Sequence, residues 1–86
     1  MPNVTIYTTP FCPYCAMAKG LLKRKNTTYQ EIDVSSDAAK RAAMRDRANG
    51  RNSVPQIFIG STHVGGCDDI HALEQQGKLD ALLAAA

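Results

Sequence analysis

The sequence contains no tryptophan, only five other aromatic residues and only three cysteines among its 86 residues. Three cysteines are too few for the disulfide scaffold on which many small secreted proteins rely. A reducing compartment disfavours permanent disulfides, and there a close pair of cysteines is redox-active or binds a metal. The cysteines are therefore the first residues to examine for function.

The sequence also lacks an excess of charge and a long apolar run. Ten Lys and Arg side chains oppose eight Asp and Glu side chains, which leaves a net charge of +2. This balance does not favour nucleic acid as a partner. No apolar stretch approaches the roughly 18 residues that a membrane-spanning helix needs, and no signal-peptide core precedes the first strand pattern. We therefore expect a cytoplasmic protein with no membrane or nucleic-acid partner.

What the sequence does have is an ordinary globular composition, with 44% apolar and 21% charged residues. A chain of this length has room for one hydrophobic core and buries roughly 60–65% of the surface of its unfolded chain. We expect a single domain that spans residues 1–86 and functions as a monomer. A domain of this size and charge is most compatible with small-molecule or protein substrates.

The hydrophobic pattern predicts an α/β protein. Alternating and continuous apolar segments predict strands at about residues 3–8, 29–34, 57–59 and 62–64. Helical spacing between capping residues predicts helices at about residues 14–26, 38–48, 68–76 and 79–83. For the second helix, Ser35-Ser36-Asp37 supplies the N-cap and Asn49-Gly50 the C-terminal stop. One parallel crossover followed by a hairpin gives the order βαβαββα, with a short final helix, around a four-stranded mixed sheet flanked by helices.

Two of the predicted helices carry apolar faces that we expect to pack against the sheet. The stripe on the first helix comprises Met17, Ala18, Leu21 and Leu22, and the small-residue face of the second comprises Ala38, Ala39, Ala42, Ala43 and Met44. The alanines at positions 84–86 are expected to fray.

Two cysteines flank one turn at the predicted start of the first helix, in the segment Cys12-Pro13-Tyr14-Cys15. The free N–H groups of a helix N-terminus favour an anion, so this position favours the thiolate of Cys12. Cys15 lies one turn further in, where we expect it to be less ionised and less exposed. Pro13 suits the first helical position because its missing N–H is not needed there. The pattern predicts that Cys12 attacks a disulfide and Cys15 resolves the mixed disulfide.

Two other interpretations of the pair are open at this point. Both cysteines can be buried apolar residues without a chemical role. A zinc site would need Cys67, His63 or His71 as further ligands, and their spacing resembles no zinc finger, so we expect no metal. Phe11, beside the pair, either packs internally or forms an apolar collar for docking substrates together with Tyr14.

Three sequence blocks together resemble the glutaredoxins, specifically the bacterial dithiol type with a thioredoxin-like fold. They are Cys12-Pro13-Tyr14-Cys15, Ser53-Val54-Pro55-Gln56-Ile57-Phe58-Ile59 and Gly65-Gly66-Cys67-Asp68-Asp69, in the family's order and spacing. The resemblance spans nearly the whole chain. One such block alone would be weak support, whereas three in order are highly specific.

The resemblance implies a glutathione site formed by the segments around these blocks. It implies a cis peptide bond before Pro55, with the main chain of Val54 pairing with the cysteine part of glutathione. The γ-glutamyl end would lie at the start of the third helix, where N–H groups bind its carboxylate and Asp68 binds its ammonium group. Asp69 is expected only to cap that helix. The full implied set is Tyr14, Arg51, Ser53, Val54, Pro55, Gly66, Cys67 and Asp68.

The family's activity would be glutathione-dependent reduction of protein–glutathione mixed disulfides and protein disulfides, with glutathione as a co-substrate. NADPH would supply electrons through glutathione reductase, and ribonucleotide reductase is one conceivable client. Two alternatives are a redoxin served by thioredoxin reductase and a protein that binds an iron–sulfur cluster between two chains. The glutathione site argues against the first, and Pro13 together with Cys15 argues against the second.

The chain departs from many relatives at one position. Thr9 stands where they carry a lysine, three residues before the first cysteine. That lysine would help to bind the glycine carboxylate of glutathione and stabilise the thiolate. Lys19 or Arg51 are the candidates to compensate, and Arg51 is the one expected to pair with the glycine carboxylate.

Overall fold

The protein is described by a computed structural model that covers residues 2–84. The elements follow in the order β1 (Val4–Thr8), α1 (Pro13–Arg24), β2 (Gln30–Asp33), α2 (Ala38–Arg47), β3 (Gln56–Ile59), β4 (Thr62–Gly65), α3 (Cys67–Gln75) and α4 (Leu79–Ala84). The predicted elements are all present, with ends that differ by one or two residues. Ala84 ends α4, and the other two alanines of the predicted frayed tail lie outside the described residues.

The four strands form one mixed sheet in the order β2-β1-β3-β4. β1 runs parallel to β2 and antiparallel to β3, and β3 runs antiparallel to β4. Gly60 and Ser61 make the tight connection between β3 and β4, with Gly60 at φ 60°. This arrangement is the predicted thioredoxin-like fold, and it places β1 and β3, the strands that lead to the cysteine pair and away from Pro55, side by side.

The larger core lies on the face of the sheet covered by α1, α3 and α4. Val4 and Ile6 of β1 and Ile57 and Ile59 of β3 project into it, as the alternation along β1 predicts. The members of α1 in this core are Ala18, Leu21 and Leu22. Met17 is not among them, because its side chain is 53% exposed, and its predicted place in the buried stripe is wrong.

The smaller core lies on the opposite face, under α2. It joins Tyr7, Val34 and Phe58 of the sheet segments to Met44 and Ala48. The predicted small-residue face is therefore wrong in part, since Ala38, Ala39 and Ala43 are exposed and Ala42 is only partly buried. In a helix of ten residues, only one narrow stripe of side chains faces the sheet. Alanine is compatible with both the buried and the exposed face, so the alanine positions do not indicate which face is buried.

The helix ends follow from local backbone chemistry. Asp37 caps α2 by accepting a hydrogen bond from the Lys40 N–H at 3.0 Å, as the sequence predicts. The first helix ends before Asn26, which adopts φ 54°, so the helix is shorter than predicted. Among residues 2–84, no helix is long and apolar enough to cross a membrane.

Candidate active site

Cys12 is the N-cap residue of α1. Its Sγ accepts a hydrogen bond from the Cys15 N–H at 3.2 Å, and Pro13 occupies the first turn of the helix as predicted. The Sγ therefore occupies the acceptor position that Ser, Asp or Asn takes in an ordinary cap, where negative charge is stabilised by the helix N–H groups. Cys12 is partly exposed, which leaves it open to a disulfide from solution.

Cys15 differs from Cys12 in its burial and in the surroundings of its thiol. Its side chain is 1% exposed, and it lies beneath Cys12 in the first turn of α1. Burial, followed by a hydrogen bond with the Cys12 side chain, raises the pKa of the Cys15 thiol to about 12. The structure thus pairs a partly exposed thiol with a buried, protonated one, and Cys15 is the less exposed of the two, as the sequence predicts.

The turn before Cys12 projects an aromatic ring into solvent. Phe11 has a backbone φ of 58° and a fully exposed side chain. A left-handed backbone is unfavourable for a bulky residue. Tyr14 and Met17 are also more than half exposed on the same end of α1. Phe11 therefore does not pack internally. Met17 extends the predicted apolar collar of Phe11 and Tyr14, and the role of the collar in docking substrates stays a prediction.

A groove of about 280 Å³ opens beside Tyr14 and runs to the start of α3. This size is near the lower end of ordinary small-molecule sites. The groove brings together every residue of the implied glutathione set and adds Asp69; its lining is Tyr14, Arg51, Ser53, Val54, Pro55, Gly66, Cys67, Asp68 and Asp69. The Val54–Pro55 peptide bond is cis, as the resemblance implies.

The far end of the groove is shaped by the capping of α3. Asp69 Oδ2 accepts a hydrogen bond from the Gly66 N–H at 2.8 Å, which confirms the predicted capping role. That hydrogen bond holds the pKa of the Asp69 carboxyl below its ordinary range, and Arg51 contributes to the same shift. Arg51 Nη1 lies 3.2 Å from the same oxygen. The Asp68 side chain is exposed and lines the groove.

A buried glutamine supports the near end of the groove. Gln56 has no solvent exposure, and its Nε2 donates to the Ser53 carbonyl oxygen at 3.0 Å and to Ser53 Oγ at 3.2 Å. Its Oε1 faces His63 Nε2 at 2.7 Å, so His63 must donate there. Burial and the charge of Arg51 lower the pKa of His63. This role of Gln56 was not predicted from the sequence; the available signal was a polar residue directly before the apolar run Ile57-Phe58-Ile59.

A second groove of about 510 Å³ lies on the other side of the cysteine pair. Both Cys12 and Cys15 line it, together with Lys19 of α1 and Glu31 of β2. Lys19 Nζ lies 3.0 Å from Glu31 Oε2, and Thr8 Oγ1 donates to the same oxygen at 2.8 Å. The cysteine pair therefore stands between a groove that contains the implied glutathione residues and a groove that contains an ion pair.

Cys67 lies at the first turn of α3, is 6% exposed and lines the groove beside Tyr14. Burial, followed by the charges of Asp68 and Cys12, raises the pKa of its thiol. His71 Nδ1 lies 2.9 Å from the Cys67 carbonyl oxygen and 3.4 Å from its Sγ. In residues 2–84 no three His, Cys, Asp or Glu side chains gather as a metal site would require; Cys67 and His71 are in contact, and His63 does not join them.

Comparison with known proteins shows which family this chain is similar to. A glutaredoxin family model matches residues 4–64. A glutaredoxin from Pseudomonas aeruginosa is 59% identical over 99% of this chain and 100% of its own length. Glutaredoxin 3 from Escherichia coli K12 is 53% identical over 96% of this chain and 99% of its own length. A crystal structure of a buckwheat glutaredoxin–glutathione complex has a TM-score of 0.85 at 30% identity, covering 95% of this chain and 76% of that chain.

The fold, with a cysteine pair at the N-terminus of its first helix, defines a thiol–disulfide oxidoreductase of the thioredoxin-like class. Within that class, the chain belongs to the glutaredoxin family.

Proposed function

We propose that this protein reduces protein–glutathione mixed disulfides and protein disulfides, with glutathione as the electron donor. One observation carries the proposal. Residues from three separate sequence blocks line one groove next to the cysteine pair. The buckwheat relative binds glutathione in a structure of the same fold.

The first chemical step belongs to Cys12. Its thiolate attacks the glutathione sulfur of a protein–glutathione disulfide, a bond forms between the two sulfurs, and the protein leaves as a thiolate that takes up a proton. The N-cap position supports this role because the helix N–H groups favour the anion and Cys12 is accessible. A second glutathione thiolate then attacks the glutathione attached to Cys12. This releases glutathione disulfide and restores the Cys12 thiolate.

A protein disulfide requires the second cysteine. Cys12 attacks one sulfur of the client and forms a mixed disulfide with it, and the Cys15 thiolate then attacks Cys12 Sγ. The client leaves as a dithiol, and Cys12 and Cys15 are left joined by a disulfide that two glutathione molecules reduce. The arrangement of Cys15 beneath Cys12 supports this second step.

The groove offers matched partners for the parts of glutathione. Val54 lines the groove beside Ser53, which Gln56 holds through two hydrogen bonds, and the main chain of Val54 would pair with the cysteine part. The α-carboxylate of the γ-glutamyl end would meet N–H groups at the start of α3, and its ammonium group would meet Asp68. The pairing of Arg51 with the glycine carboxylate stays a prediction, because Arg51 contacts Asp69 in the structure.

The wider setting is part of the same proposal. We propose that the chain acts as a single cytoplasmic domain, as a monomer and without a metal. NADPH would reach it through glutathione reductase. Protein clients would dock on the apolar collar, and a disulfide-forming enzyme such as ribonucleotide reductase is a candidate client.

A coupled assay tests the proposal. NADPH oxidation is followed with glutathione, glutathione reductase and a small glutathione mixed disulfide, and a parallel cuvette contains thioredoxin reductase in place of the glutathione pair. We expect turnover only with glutathione, and none in the Cys12→Ser protein. Turnover only with thioredoxin reductase would overturn the glutathione proposal while retaining the redox pair.

A further inference from the structure

The second groove raises a question that the cysteine pair alone does not answer. Lys19 lies one helical turn after Cys15, so both side chains leave α1 on the same face. Lys19 lines the groove with both thiols and is only 28% exposed. Its Nζ is held 3.0 Å from Glu31 Oε2, and Thr8 fixes that oxygen from β1 at 2.8 Å. Three elements thus hold one ammonium group beside the cysteines.

The buried thiol is where a positive charge has the most effect. Burial opposes ionisation of Cys15, yet the proposed resolving step requires its thiolate. Two neighbours favour that thiolate, a backbone hydrogen bond from Thr9 and the positive charge of Lys19. The Glu31 hydrogen bond raises the pKa of Lys19, so the ammonium group stays charged across the neutral range.

We propose that Lys19 is a positioning residue for the resolving step, held by Glu31 and Thr8 so that its charge promotes formation of the Cys15 thiolate. This inference rests on the proposed two-cysteine mechanism. The Cys15 proton passes to water in the groove, and the thiolate attacks Cys12 Sγ in the mixed disulfide. A Cys12–Cys15 disulfide forms, and the outgoing thiolate takes up a proton from solvent.

The other charged groups near the site fix the sign of the expected effects. From α1 the thiol faces Cys12 and Lys19, and from β2 the same groove contains Glu31 and Asp33. At the end of β1, the hydroxyl and backbone groups of Thr8 line this groove, and they carry no charge. Asp33 accepts a hydrogen bond from the Ser35 N–H at 2.8 Å, whereas Glu31 partly cancels the charge of Lys19. Removing the lysine should therefore disfavour the thiolate, and neutralising the glutamate should favour it.

Stopped-flow reaction with Ellman's reagent separates the two steps. The first chromophore is released when Cys12 attacks, at a rate proportional to the reagent concentration. The second is released when Cys15 resolves the mixed disulfide, at a rate independent of it. The variants are Lys19→Met, Lys19→Arg and Glu31→Gln, with Lys23→Met as the matched control on an exposed position of the same helix.

We expect Lys19→Met to slow the second phase about threefold to tenfold near neutral pH, the effect of one partly screened charge. The pH dependence of its second-phase rate should shift to higher pH. Lys19→Arg should restore the rate, Glu31→Gln should move the profile to lower pH, and Lys23→Met should change neither phase.

Three results would overturn the proposal: an unchanged second phase in Lys19→Met, equal slowing of both phases, or slowing in both Lys19→Met and Glu31→Gln. Urea unfolding midpoints identify a variant whose second phase is slower because the protein is unfolded. In that case the second-phase rate of Lys19→Arg decides whether the proposal holds. Failure of the proposed function would appear differently, as absence of glutathione-dependent turnover in the unmodified protein, with the two phases still measurable.

Discussion

Arg51 and Asp69 join the two sides of the glutathione groove. Arg51 Nη1 lies 3.2 Å from Asp69 Oδ2, and that same oxygen accepts the Gly66 N–H at 2.8 Å. The ion pair connects the loop before Pro55 to the N-terminus of α3. One carboxylate therefore caps a helix and fixes the arginine nearest to the groove.

The charge on Asp69 should make stability depend on acidic pH. Its pKa is lowered in the folded protein, so its contribution is present above the ordinary carboxyl range near pH 4 and is lost as pH falls through the folded value. We expect Asp69→Asn to lose about 0.5–1 kcal/mol at neutral pH, the usual size for a partly exposed carboxylate at a helix N-terminus. Urea unfolding at several pH values should show a smaller stability loss on acidification in the variant. An identical pH dependence in both proteins would contradict this account.

A side chain at Gly65 should destabilise the fold. Its φ is 112°, and a Cβ there would overlap the Asp69 carboxylate and crowd Arg51. Gly77 is a matched control, because its φ is 71° and nothing lies within 4 Å of a Cβ built there. We expect Gly65→Ala to lose about 2–3 kcal/mol of unfolding free energy and Gly77→Ala about 1 kcal/mol. Equal losses in urea unfolding would show that only the backbone conformation matters at Gly65.

The backbone conformation of Phe11 should lower the stability of the fold, and its exposed ring should help the protein to reduce protein disulfides. Its left-handed backbone is unfavourable by about 1–2 kcal/mol, and its exposed ring gains little from the core. Phe11→Gly should therefore leave the free energy of unfolding unchanged or raise it by up to about 1 kcal/mol, after the greater flexibility of the unfolded chain is subtracted. Phe11→Ala, which keeps the backbone cost, should gain nothing.

Both Phe11 variants should slow reduction of a protein disulfide about fivefold, the size of effect expected when an exposed aromatic anchor is removed. Turnover of a small glutathione mixed disulfide should stay within twofold of the original protein. Equal slowing of both substrates would mean that Phe11 orders the Cys12 turn rather than contacting clients.

The sequence predicted the fold well because strand and helix periods differ and their ends carried clear signals. Asp37 and the Asn49-Gly50 pair marked the limits of α2, and the latter two residues do adopt positive φ. The facing of residues was harder to predict. Met17 follows the helical spacing of a core stripe, yet it is 53% exposed, and only Ala18, Leu21 and Leu22 of that stripe reach the core.

The site was predicted as a set of residues, and its supporting contacts were not. Motif order placed Val54 and Asp68 in one groove, yet no local pattern indicates that Gln56 turns back to Ser53 or that Arg51 reaches Asp69. The Lys19–Glu31 pair likewise joins residues 12 apart, on different elements. Such contacts depend on the packed arrangement of elements, which spacing along the chain does not encode.

The most direct test of the account is to locate glutathione on the protein. Cys15→Ser protein is incubated with glutathione disulfide, and the adduct is mapped by mass spectrometry and by amide shifts in two-dimensional NMR. The account predicts one glutathione on Cys12, with the largest shifts at Val54, Gly66 and Asp68. An adduct on Cys67 instead, or a Cys12 adduct whose shifts fall around Lys19 and Glu31, would contradict the assignment of the glutathione groove.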